Sequence, residues 1–310
     1  MRLNKDITTA ELMALDYRYH YSDHELLADW QRLCTTTRFK NGSQFRPGIK
    51  LCQHFFPNFW QIQNSRGQSF AQAWQDAEVM DQVREWGLRG MSQLWLSWIR
   101  RAVFLTAGLC NSSFYRPHLA RQICRGTGRD QGVLFDPCAG WGGRLLGTVS
   151  AGWRYVACEP NPETFGNLQR MVEFLGIQDR VQLHAVPAEQ FDISSLGQVH
   201  AVLTSPPYFN LEIYAQDIGQ SYNQWSSWPS WRDQWLQPLI DRCQRQLTQG
   251  GVSCWNVMNV GRFDLVGAVE HMHRDPDQWQ LTASLGMKSP LANLRARKNQ
   301  DVTRCWQRLT

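Results

Sequence analysis

The sequence predicts an α/β fold with a mostly parallel, doubly wound sheet and a mainly helical N-terminal region. The apolar run Val133-Leu134-Phe135 is followed by glycine-rich residues and then by a helical pattern of apolar residues, which indicates a strand, a loop and a helix. Apolar runs of strand length then alternate with helical patterns as far as residue 260. This alternation is typical of βαβ units, in which helices cover both faces of a parallel sheet.

Several of the predicted strands end at polar or glycine-rich residues. Ligands bind at the carboxyl ends of the strands in such sheets, so these endings mark the expected site. Asp136 begins a glycine loop after the first strand, Glu159 follows the second, and the Ser-Pro-Pro-Tyr tetrapeptide 205–208 follows the fourth. The predicted strands span residues 133–135, 154–158, 181–185, 199–204 and 252–260, and the helical patterns include residues 161–176 and 231–247.

Residues 1–105 carry helical patterns and no glycine loop. We therefore expect a mostly helical N-terminal extension over residues 1–105 and a sheet-containing domain over residues 106–310. The N-terminal tryptophans are interpreted mainly as core residues, because large aromatic side chains at helical spacing are usually buried. These tryptophans are Trp60, Trp74, Trp86, Trp95 and Trp98.

The composition excludes several classes of protein. Of the 310 residues, 43% are hydrophobic and 19% are charged, a mixture typical of a packed globular protein. The N-terminus has no apolar signal region, and no window approaches the roughly 18 apolar residues of a membrane span. The 9 cysteines include no Cys-x-x-Cys pair, so we expect no metal and favour a reducing compartment. The sequence thus predicts a soluble, cytoplasmic protein that binds no membrane.

Positive charge is concentrated near the C-terminus. The formal net charge is +5, and residues 284–310 hold six basic side chains against the single acid Asp301, which is also a net of +5. Such a segment suits a polyanion, because neutralised phosphates release counterions. A solvated tail explains the charge equally well. The basic residues are Lys288, Arg295, Arg297, Lys298, Arg304 and Arg308.

The glycine loop differs from the common nucleotide-binding loops. It lacks the P-loop sequence Gly-x-x-x-x-Gly-Lys-Ser/Thr and the dinucleotide spacing Gly-x-Gly-x-x-Gly. The acid at Asp136 disfavours a pyrophosphate and favours a cationic ligand, while Glu159 is placed to accept both hydroxyls of a ribose. A cation joined to a ribose describes S-adenosylmethionine.

Together these motifs resemble those of the S-adenosylmethionine-dependent DNA amino-methyltransferases, the cytosine-N4 and adenine-N6 family. The resemblance covers roughly residues 112–260 and rests on the loop 136–143, on Glu159, on the tetrapeptide 205–208 and on the stretch 113–117. It implies a Rossmann-like class I methyltransferase fold, S-adenosylmethionine as cofactor, DNA as partner, and DNA methylation of the restriction-modification type. By this resemblance the cofactor-binding residues are Phe114, Pro117, Asp136, Cys138, Ala139, Gly140, Gly142, Glu159, Pro160 and, near the adenine, Glu189.

The Ser-Pro-Pro-Tyr tetrapeptide fits the chemistry of amine methylation. The nitrogen lone pair of an exocyclic amine is delocalised into the base ring, so hydrogen-bond acceptors at its N–H groups are needed to localise it. The Ser205 hydroxyl and the Pro206 carbonyl supply these acceptors, and Pro207 stiffens the turn. Tyr208, together with Phe209, is predicted to stack on a base flipped out of the duplex.

Other activities are weighed against this one. Methylation of a ring carbon requires a cysteine nucleophile, and it is rejected because Cys138 lies in the cofactor loop and not after the fourth strand. Serine at the first position of the tetrapeptide is similar to the cytosine-N4 group, whereas adenine-N6 enzymes typically have Asp or Asn there. Cytosine-N4 is therefore the predicted target. The alternatives are adenine-N6 methylation and, less favoured, RNA guanine-N2 methylation or a catalytically silent nucleic-acid-binding protein.

Substrate contacts are expected outside the strands of the sheet. Only 61 residues lie between Gly143 and Ser205, so no target-recognition domain fits there. The loop 209–228 leaves the catalytic turn directly and holds side chains able to read base edges, whereas the basic C-terminal residues are expected to hold phosphates. The predicted substrate-binding residues are Phe209, Asn210, Tyr214, Arg295, Arg297 and Lys298.

Overall fold

The computed structural model describes residues 2–4, 6–36, 46–64, 66–88, 94–109, 113–211, 220–287 and 301–310. Contacts divide the chain into two units. The N-terminal unit comprises Met1–His20, Pro57–Ser112 and Asn210–Tyr214, and the sheet unit comprises Tyr21–Phe56, Ser113–Phe209 and Ala215–Thr310. Residues 21–56 thus cluster with the sheet, although segments of the N-terminal unit lie on both sides of them in the chain.

Helices and strands of the described residues are numbered in chain order. The α-helices are α1 (Thr9–Ala14), α2 (Asp23–Thr35), α3 (Ile49–Phe55), α4 (Phe70–Trp74), α5 (Ala77–Leu88), α6 (Leu96–Thr106), α7 (Pro117–Gly126), α8 (Gly143–Ser150), α9 (Pro162–Leu175), α10 (Ser221–Gln224), α11 (Trp228–Trp231), α12 (Gln237–Gln246) and α13 (Leu265–His271). The strands are β1 (Arg2–Leu3), β2 (Leu94–Trp95), β3 (Val133–Asp136), β4 (Arg154–Cys158), β5 (Val181–His184), β6 (Val199–Thr204), β7 (Leu247–Val257), β8 (Trp279–Met287) and β9 (Asp301–Arg308). A π-helical turn, Arg232–Leu236, joins α11 to α12.

The main sheet of the described residues has the strand order β5-β4-β3-β6-β7-β9-β8. The pairs β5-β4, β4-β3, β3-β6 and β6-β7 are parallel, and β9 runs antiparallel to both of its neighbours. The chain winds outward from β3 to β5, then returns to β6 beside β3 and winds the other way. With right-handed crossovers, this reversal places helices on both faces of the sheet. The strand order and the parallel pairs confirm the predicted mostly parallel, doubly wound sheet.

The local signals in the sequence explain the central βαβ units. Leu134, Phe135, Tyr155 and Val202 are fully buried, as expected for strands covered on both faces. Helix α9 begins after Asn161, whose side chain accepts a 2.9 Å hydrogen bond from the backbone N–H of Thr164, and it ends at Gly176 with φ of 63°. Both ends agree with the capping pattern of the sequence.

Close backbone packing joins α8 to the segment before α7 and to α7 itself. A Cβ on Gly143 would lie 2.0 Å from the Tyr115 carbonyl oxygen, and one on Gly147 would lie 2.1 Å from the Pro117 carbonyl oxygen. These glycines therefore allow the two segments to approach each other. The glycine-rich pattern after β3 serves this contact as well as the loop.

The N-terminal unit has an aromatic core of its own. Tyr17, Trp60, Phe70 and Trp74 contact one another with ring centroids 4.5 to 5.7 Å apart. Trp60 and Trp74 are buried, as expected for core residues, and Trp98 is half-buried. Trp86 and Trp95 are exposed, with exposed fractions of 56% and 46%, so the interpretation as core residues is wrong for these two. Within the part of the chain that the structure describes, no helix is long and apolar enough to cross a membrane.

Candidate active site

The candidate site lies where the strand order of the sheet reverses. β3 ends at Asp136, and the adjacent parallel strand β6 ends at Thr204. The Thr204 hydroxyl donates a 2.7 Å hydrogen bond to Oδ1 of Asp136. The glycine loop and the Ser205–Tyr208 turn therefore start side by side, at the edge where such sheets bind ligands.

Asp136 is fully buried, and both of its carboxylate oxygens accept hydrogen bonds. Oδ2 accepts from Arg144 Nε at 2.6 Å and from the Tyr155 hydroxyl at 2.7 Å. Oδ1 accepts from Thr204 and from the backbone N–H of Cys138 at 3.2 Å. Burial lowers the pKa of Arg144, but the Asp136 carboxylate, together with Tyr155 and Tyr115, more than offsets this effect and raises the pKa. The cation beside Asp136 is thus a side chain of the protein, and Asp136 organises the loop instead of meeting the cationic ligand suggested by the sequence.

Hydrogen bonds from Arg144 hold the glycine loop, and there is space next to Gly140. The Arg144 guanidinium donates hydrogen bonds to the backbone carbonyls of Cys138 and Ala139. Gly140 and Gly142 have φ of 56° and 73°, a left-handed conformation that favours glycine. Among the described residues, a Cβ on Gly140 would meet nothing nearer than Arg144 Nη2 at 3.8 Å. The loop therefore leaves room for a ligand at this point.

Glu159 follows β4 and faces the same loop. Its Oε2 accepts a 2.9 Å hydrogen bond from the Gly140 backbone N–H, and its Oε1 accepts one of 3.0 Å from the Asn161 N–H. The side chain is buried, and burial raises its pKa to about 7, against the lowering effect of these two N–H groups. Each carboxylate oxygen has a second lone pair available to a ligand hydroxyl. The adjoining Pro160 is half-buried.

Glu189 is positioned by residues far away in the chain. Its Oε2 accepts a 3.0 Å hydrogen bond from the indole N–H of Trp235, which lies in the π-helical turn. The Arg242 guanidinium donates to the backbone carbonyls of Ala188, Glu189 and Phe191. Glu189 itself is half-buried. Its carboxylate is thus fixed while part of it remains accessible.

The other predicted cofactor residues differ in exposure. Phe114 is half-buried and contacts Trp141 edge to face, with ring centroids 5.7 Å apart. Pro117 is buried at the first position of α7, and its carbonyl faces Gly147, so its contacts are with helix α8. Burial raises the pKa of the Cys138 thiol well above its ordinary value. This thiol remains protonated and is a poor nucleophile, which agrees with the rejection of carbon methylation.

The Ser-Pro-Pro-Tyr turn belongs to a polar network. Asn256 Nδ2 donates to the Tyr208 hydroxyl at 2.8 Å and to Ser205 Oγ at 3.3 Å. Ser205 Oγ donates to the Tyr208 hydroxyl at 3.2 Å. The same Ser205 Oγ lies 3.3 Å from a second acceptor, the Asn256 backbone carbonyl. The Tyr208 hydroxyl in turn donates to Asp301 Oδ1 at 2.9 Å. The Ser205–Tyr208 turn, which follows β6, thus meets residues of β7 and β9.

Further residues support this network from β9 and from the segment before α7. The Thr303 hydroxyl donates to Asn256 Oδ1 at 3.0 Å, and it lies 3.2 Å from the Tyr115 hydroxyl. Because Oδ1 of Asn256 accepts this bond, its amide nitrogen is directed to Ser205 and Tyr208. The orientation of Asn256 is therefore fixed by its neighbours.

The burial of Tyr208 and Phe209 does not favour the stacking role predicted for them. Their exposed fractions are only 8% and 3%. Phe209 packs against Trp228, Trp231 and Phe263, and it is the one non-glycine residue with positive φ, 51°, among those the structure describes. A bulky residue in this region is strained. The turn is therefore held in place by its aromatic neighbours.

Several predicted substrate contacts fall outside the described residues. Asn210 is exposed. Two of the six basic residues of the C-terminal segment are engaged inside the sheet unit: Arg304 pairs with Glu270 at 3.0 Å, and Arg308 donates to the carbonyls of Gln244 and Leu247. The predicted contacts that lie outside the described residues are Tyr214, Arg295, Arg297 and Lys298.

Sequence reasoning missed Asn256, Asp301 and Thr303 as members of the site. A signal existed for two of them. Asn256 is a polar residue near the end of a strand whose last six residues are mostly apolar, and Asp301 is the lone acid of a basic segment. Asn256 lies 51 positions after its partner Ser205, and Asp301 lies 93 positions after its partner Tyr208. Only the pairing of β6, β7 and β9 brings them together.

Comparison with known proteins supplies no close relative. No protein-family model matches the chain, and no curated protein matches it. Solved structures that match include an rRNA methylase from Streptococcus thermophilus, with 13% identity, a TM-score of 0.43 and coverage of 64% of this chain and 100% of that chain. A tRNA m1G37 methyltransferase from M. jannaschii matches with 12% identity, a TM-score of 0.41 and coverage of 64% and 51%. A SAM-dependent O-methyltransferase from Thermotoga maritima matches with 13% identity, a TM-score of 0.43 and coverage of 64% and 68%.

Proposed function

We propose that this protein transfers a methyl group from S-adenosylmethionine to the exocyclic amine of a base in DNA, with cytosine-N4 as the target. The observation that carries the proposal is the position of the Ser205–Tyr208 turn beside the glycine loop. The 2.7 Å hydrogen bond from Thr204 to Asp136 joins the starts of these two segments. A methyl donor in the loop and an amine at the turn would then be neighbours.

The residues at the loop fit S-adenosylmethionine. The two oxygens of Glu159 each accept one backbone N–H and can each accept one ribose hydroxyl. The space over Gly140 and the fixed carboxylate of Glu189 suit the rest of the adenosine, with Glu189 toward the adenine amine. When bound, S-adenosylmethionine supplies a methyl group activated by its sulfonium charge.

The residues of the turn would prepare the amine. One N–H of the base donates to Ser205 Oγ and the other to the Pro206 carbonyl, which localises the nitrogen lone pair toward the methyl group. Pro206 and Pro207 have no backbone N–H that would compete for these acceptors. Asn256 holds Ser205 Oγ in place at 3.3 Å.

The choice of cytosine as the target base rests on residue 205 alone. Serine at position 205 is similar to the cytosine-N4 group, but the acceptors of the turn contact only the amine. Adenine-N6 therefore remains the alternative within DNA. RNA guanine-N2 methylation and silent binding of nucleic acid are the other outcomes that an experiment must separate.

Analysis of the methylated product tests the proposal. The protein is incubated with S-adenosylmethionine labelled in its methyl group and with DNA made by PCR, which carries no methylation, and the digested nucleosides are separated. We expect label in N4-methylcytosine. Label in N6-methyladenine would move the target to the alternative base. Parallel reactions with rRNA and tRNA transcribed in vitro are the control, and label confined to RNA, or to no nucleic acid, would contradict the proposal.

A further inference from the structure

A chain of hydrogen bonds leads from the catalytic turn into the protein. The Ser205 hydroxyl donates to the Tyr208 hydroxyl at 3.2 Å, and the Tyr208 hydroxyl donates to Asp301 Oδ1 at 2.9 Å. The Ser205 proton has a second acceptor, the Asn256 backbone carbonyl at 3.3 Å, and its bond to Tyr208 is the one that leads on to a carboxylate. Asp301 is the first residue of β9, 93 positions after Tyr208.

Asn256 fixes the direction of this chain. Its Nδ2 donates to the Tyr208 hydroxyl at 2.8 Å, so the phenol oxygen accepts from Asn256 as well as from Ser205. With its lone pairs engaged, the phenol directs its single proton to Asp301. The bond from Thr303 to Asn256 Oδ1 prevents the amide from reversing.

Amine methylation produces a proton that the turn itself cannot keep. The amine is neutral before the reaction, and its nitrogen is left with a positive charge once its electron pair has formed the new N–C bond and the C–S electron pair has gone to sulfur. One N–H proton must then leave. The Ser205–Tyr208 turn offers only hydroxyls and prolines, which do not hold an extra proton at neutral pH.

We propose that Asp301 is the final acceptor of this proton, which reaches it through the hydroxyls of Ser205 and Tyr208. This inference rests on the proposed function. As the substrate N–H bond breaks, Ser205 Oγ gains that proton and passes its own to the Tyr208 oxygen, and Tyr208 passes its own to Asp301. The products are a neutral methylated amine and a protonated Asp301 carboxyl, with both hydroxyls restored. Asp301 releases its proton to solvent before the next cycle.

The surroundings of Asp301 suit an acceptor. Burial raises the pKa of its carboxyl, and the hydrogen bond from Tyr208 lowers it by a smaller amount. From the neighbouring elements, the catalytic turn contributes the titratable Tyr208, and β7 contributes the neutral Asn256 to the same network. Asp301 is therefore a stronger base than an exposed aspartate.

Two variants interrupt the chain at different points. Asp301→Asn keeps an acceptor for the Tyr208 hydroxyl but removes the base, and Tyr208→Phe keeps the ring but removes the hydroxyl. Asp277→Asn, which replaces an exposed acid, is the matched control. The readout is the rate of a single turnover of methyl transfer to PCR-made DNA across pH, at S-adenosylmethionine concentrations that saturate the protein at every pH, with the affinity for S-adenosylmethionine measured by calorimetry.

We expect the rate of the parent and of Asp277→Asn to rise as Asp301 ionises and then to level off. In Asp301→Asn and in Tyr208→Phe this rise should disappear, and the plateau rate should fall by about 100-fold, with cofactor affinity unchanged. An Asp301→Asn variant with the parent rate and pH profile would overturn the relay alone. Absence of methyl transfer by the parent to any nucleic acid would overturn the proposed function together with it.

An NMR titration of the carboxyl carbons, in protein labelled with ¹³C-aspartate, provides a readout that does not depend on activity. The pKa of Asp301 should lie above that of exposed aspartates, and Tyr208→Phe should raise it further because the phenol no longer stabilises the carboxylate. This measurement also decides the matter if Asp301→Asn fails to fold. The same pKa for Asp301 in the parent and in Tyr208→Phe would overturn the relay.

Discussion

Asp136 illustrates how one residue can connect several segments. Its carboxylate joins Arg144 of α8, Tyr155 of β4 and Thr204 of β6. The sequence suggests an acid that meets a cationic ligand, whereas the geometry favours an acid that fixes the loop on which the ligand would lie. The distinction matters because a buried ion pair that loses one partner leaves an uncompensated charge.

Removal of the Arg144 guanidinium should therefore destabilise the protein strongly. Arg144→Met keeps the apolar stem but leaves Asp136 buried without its cation, and we expect the free energy of unfolding in urea to fall by about 3 to 5 kcal/mol. Arg232→Met is the control, since the pair of Arg232 with Asp233 is exposed and should contribute little. Equal stability of Arg144→Met and the parent would show that the Asp136 network does not hold the loop.

Glu159 should make cofactor binding depend on pH. Its pKa is raised to about 7 by burial, so the carboxyl is protonated below that pH and ionised above it. Ribose hydroxyls donate best to the ionised form. We expect the Kd for S-adenosylmethionine, measured by calorimetry, to increase by roughly tenfold for each pH unit below about 7.

The isosteric variant separates this effect from titration of the ligand itself. Glu159→Gln should bind about 10- to 100-fold more weakly at pH 8, because charge-assisted hydrogen bonds are lost. Its Kd should change with pH only as the ligand's own groups titrate. A parent and a Glu159→Gln variant with the same pH dependence would remove Glu159 from the ribose site.

At the scale of elements, the approach of α7 and α8 sets the position of the glycine loop. Gly147 lies where a Cβ would come within 2.1 Å of the Pro117 carbonyl oxygen and within 2.5 Å of the Ala120 Cβ. The nearest obstacle is backbone and cannot rotate away. The two helices must therefore separate if Gly147 gains a side chain.

Two alanine substitutions test this packing with opposite expected signs. Gly147→Ala should lower the free energy of unfolding by about 1 to 3 kcal/mol. Gly166→Ala is the matched control, since Gly166 lies inside α9 with nothing within 4 Å of its Cβ position. The control should raise stability by about 0.5 to 1 kcal/mol, because alanine favours the helix. Stabilisation by both substitutions would mean that α7 and α8 do not pack this closely.

The elements of the sheet differ in how far sequence predicts them. Strands β3, β4, β6 and β7 are read from apolar runs because both faces of a central parallel sheet are buried, so the local pattern is strong. β5 lies at the edge of the sheet and none of its residues is fully buried, yet its alternating pattern is still recognisable in the sequence. Strands β8 and β9 were not predicted. They lie at the antiparallel end of the sheet, where half-exposed residues such as Arg304 and exposed ones such as Leu281 weaken the periodicity.

The strength of the local pattern also decides which residues of the candidate site can be predicted from the sequence. The glycine loop, Glu159 and the tetrapeptide 205–208 are local sequence features at strand ends, and they could be predicted. The contact of Glu189 with Trp235, like that of Tyr208 with Asp301, depends on long-range packing. No local pattern encodes such contacts.

Across the whole molecule, we expect the basic residues of the C-terminal segment to have two different roles. Arg304 and Arg308 are engaged within the sheet unit. We propose that Arg295, Arg297 and Lys298 hold DNA phosphates instead. Such contacts would add affinity without reading the sequence.

Neutralisation of these three residues together should weaken binding to every duplex. The slope of log K against log salt should become shallower by roughly 0.9 for each phosphate contact that is lost, as measured by fluorescence anisotropy at several salt concentrations. The methylated sequence should not change. Arg304→Gln is the comparison, and we expect it to leave the slope largely unaltered. An unchanged slope in the triple variant, or a shift in the methylated sequence, would refute the proposal that these three residues bind phosphates without reading the sequence.

A single-turnover measurement on Ser205→Ala, with labelled S-adenosylmethionine and unmethylated DNA, tests the proposed function most directly. Ser205 is proposed to contact the substrate amine and not the cofactor. We expect the methyl-transfer rate to fall by about 100-fold or more, because Ser205 is both an acceptor for the amine and the first hydroxyl of the relay, while the Kd for S-adenosylmethionine stays at the parent value. A variant that transfers methyl groups at the parent rate would contradict the central claim, because the amine would then have to bind elsewhere.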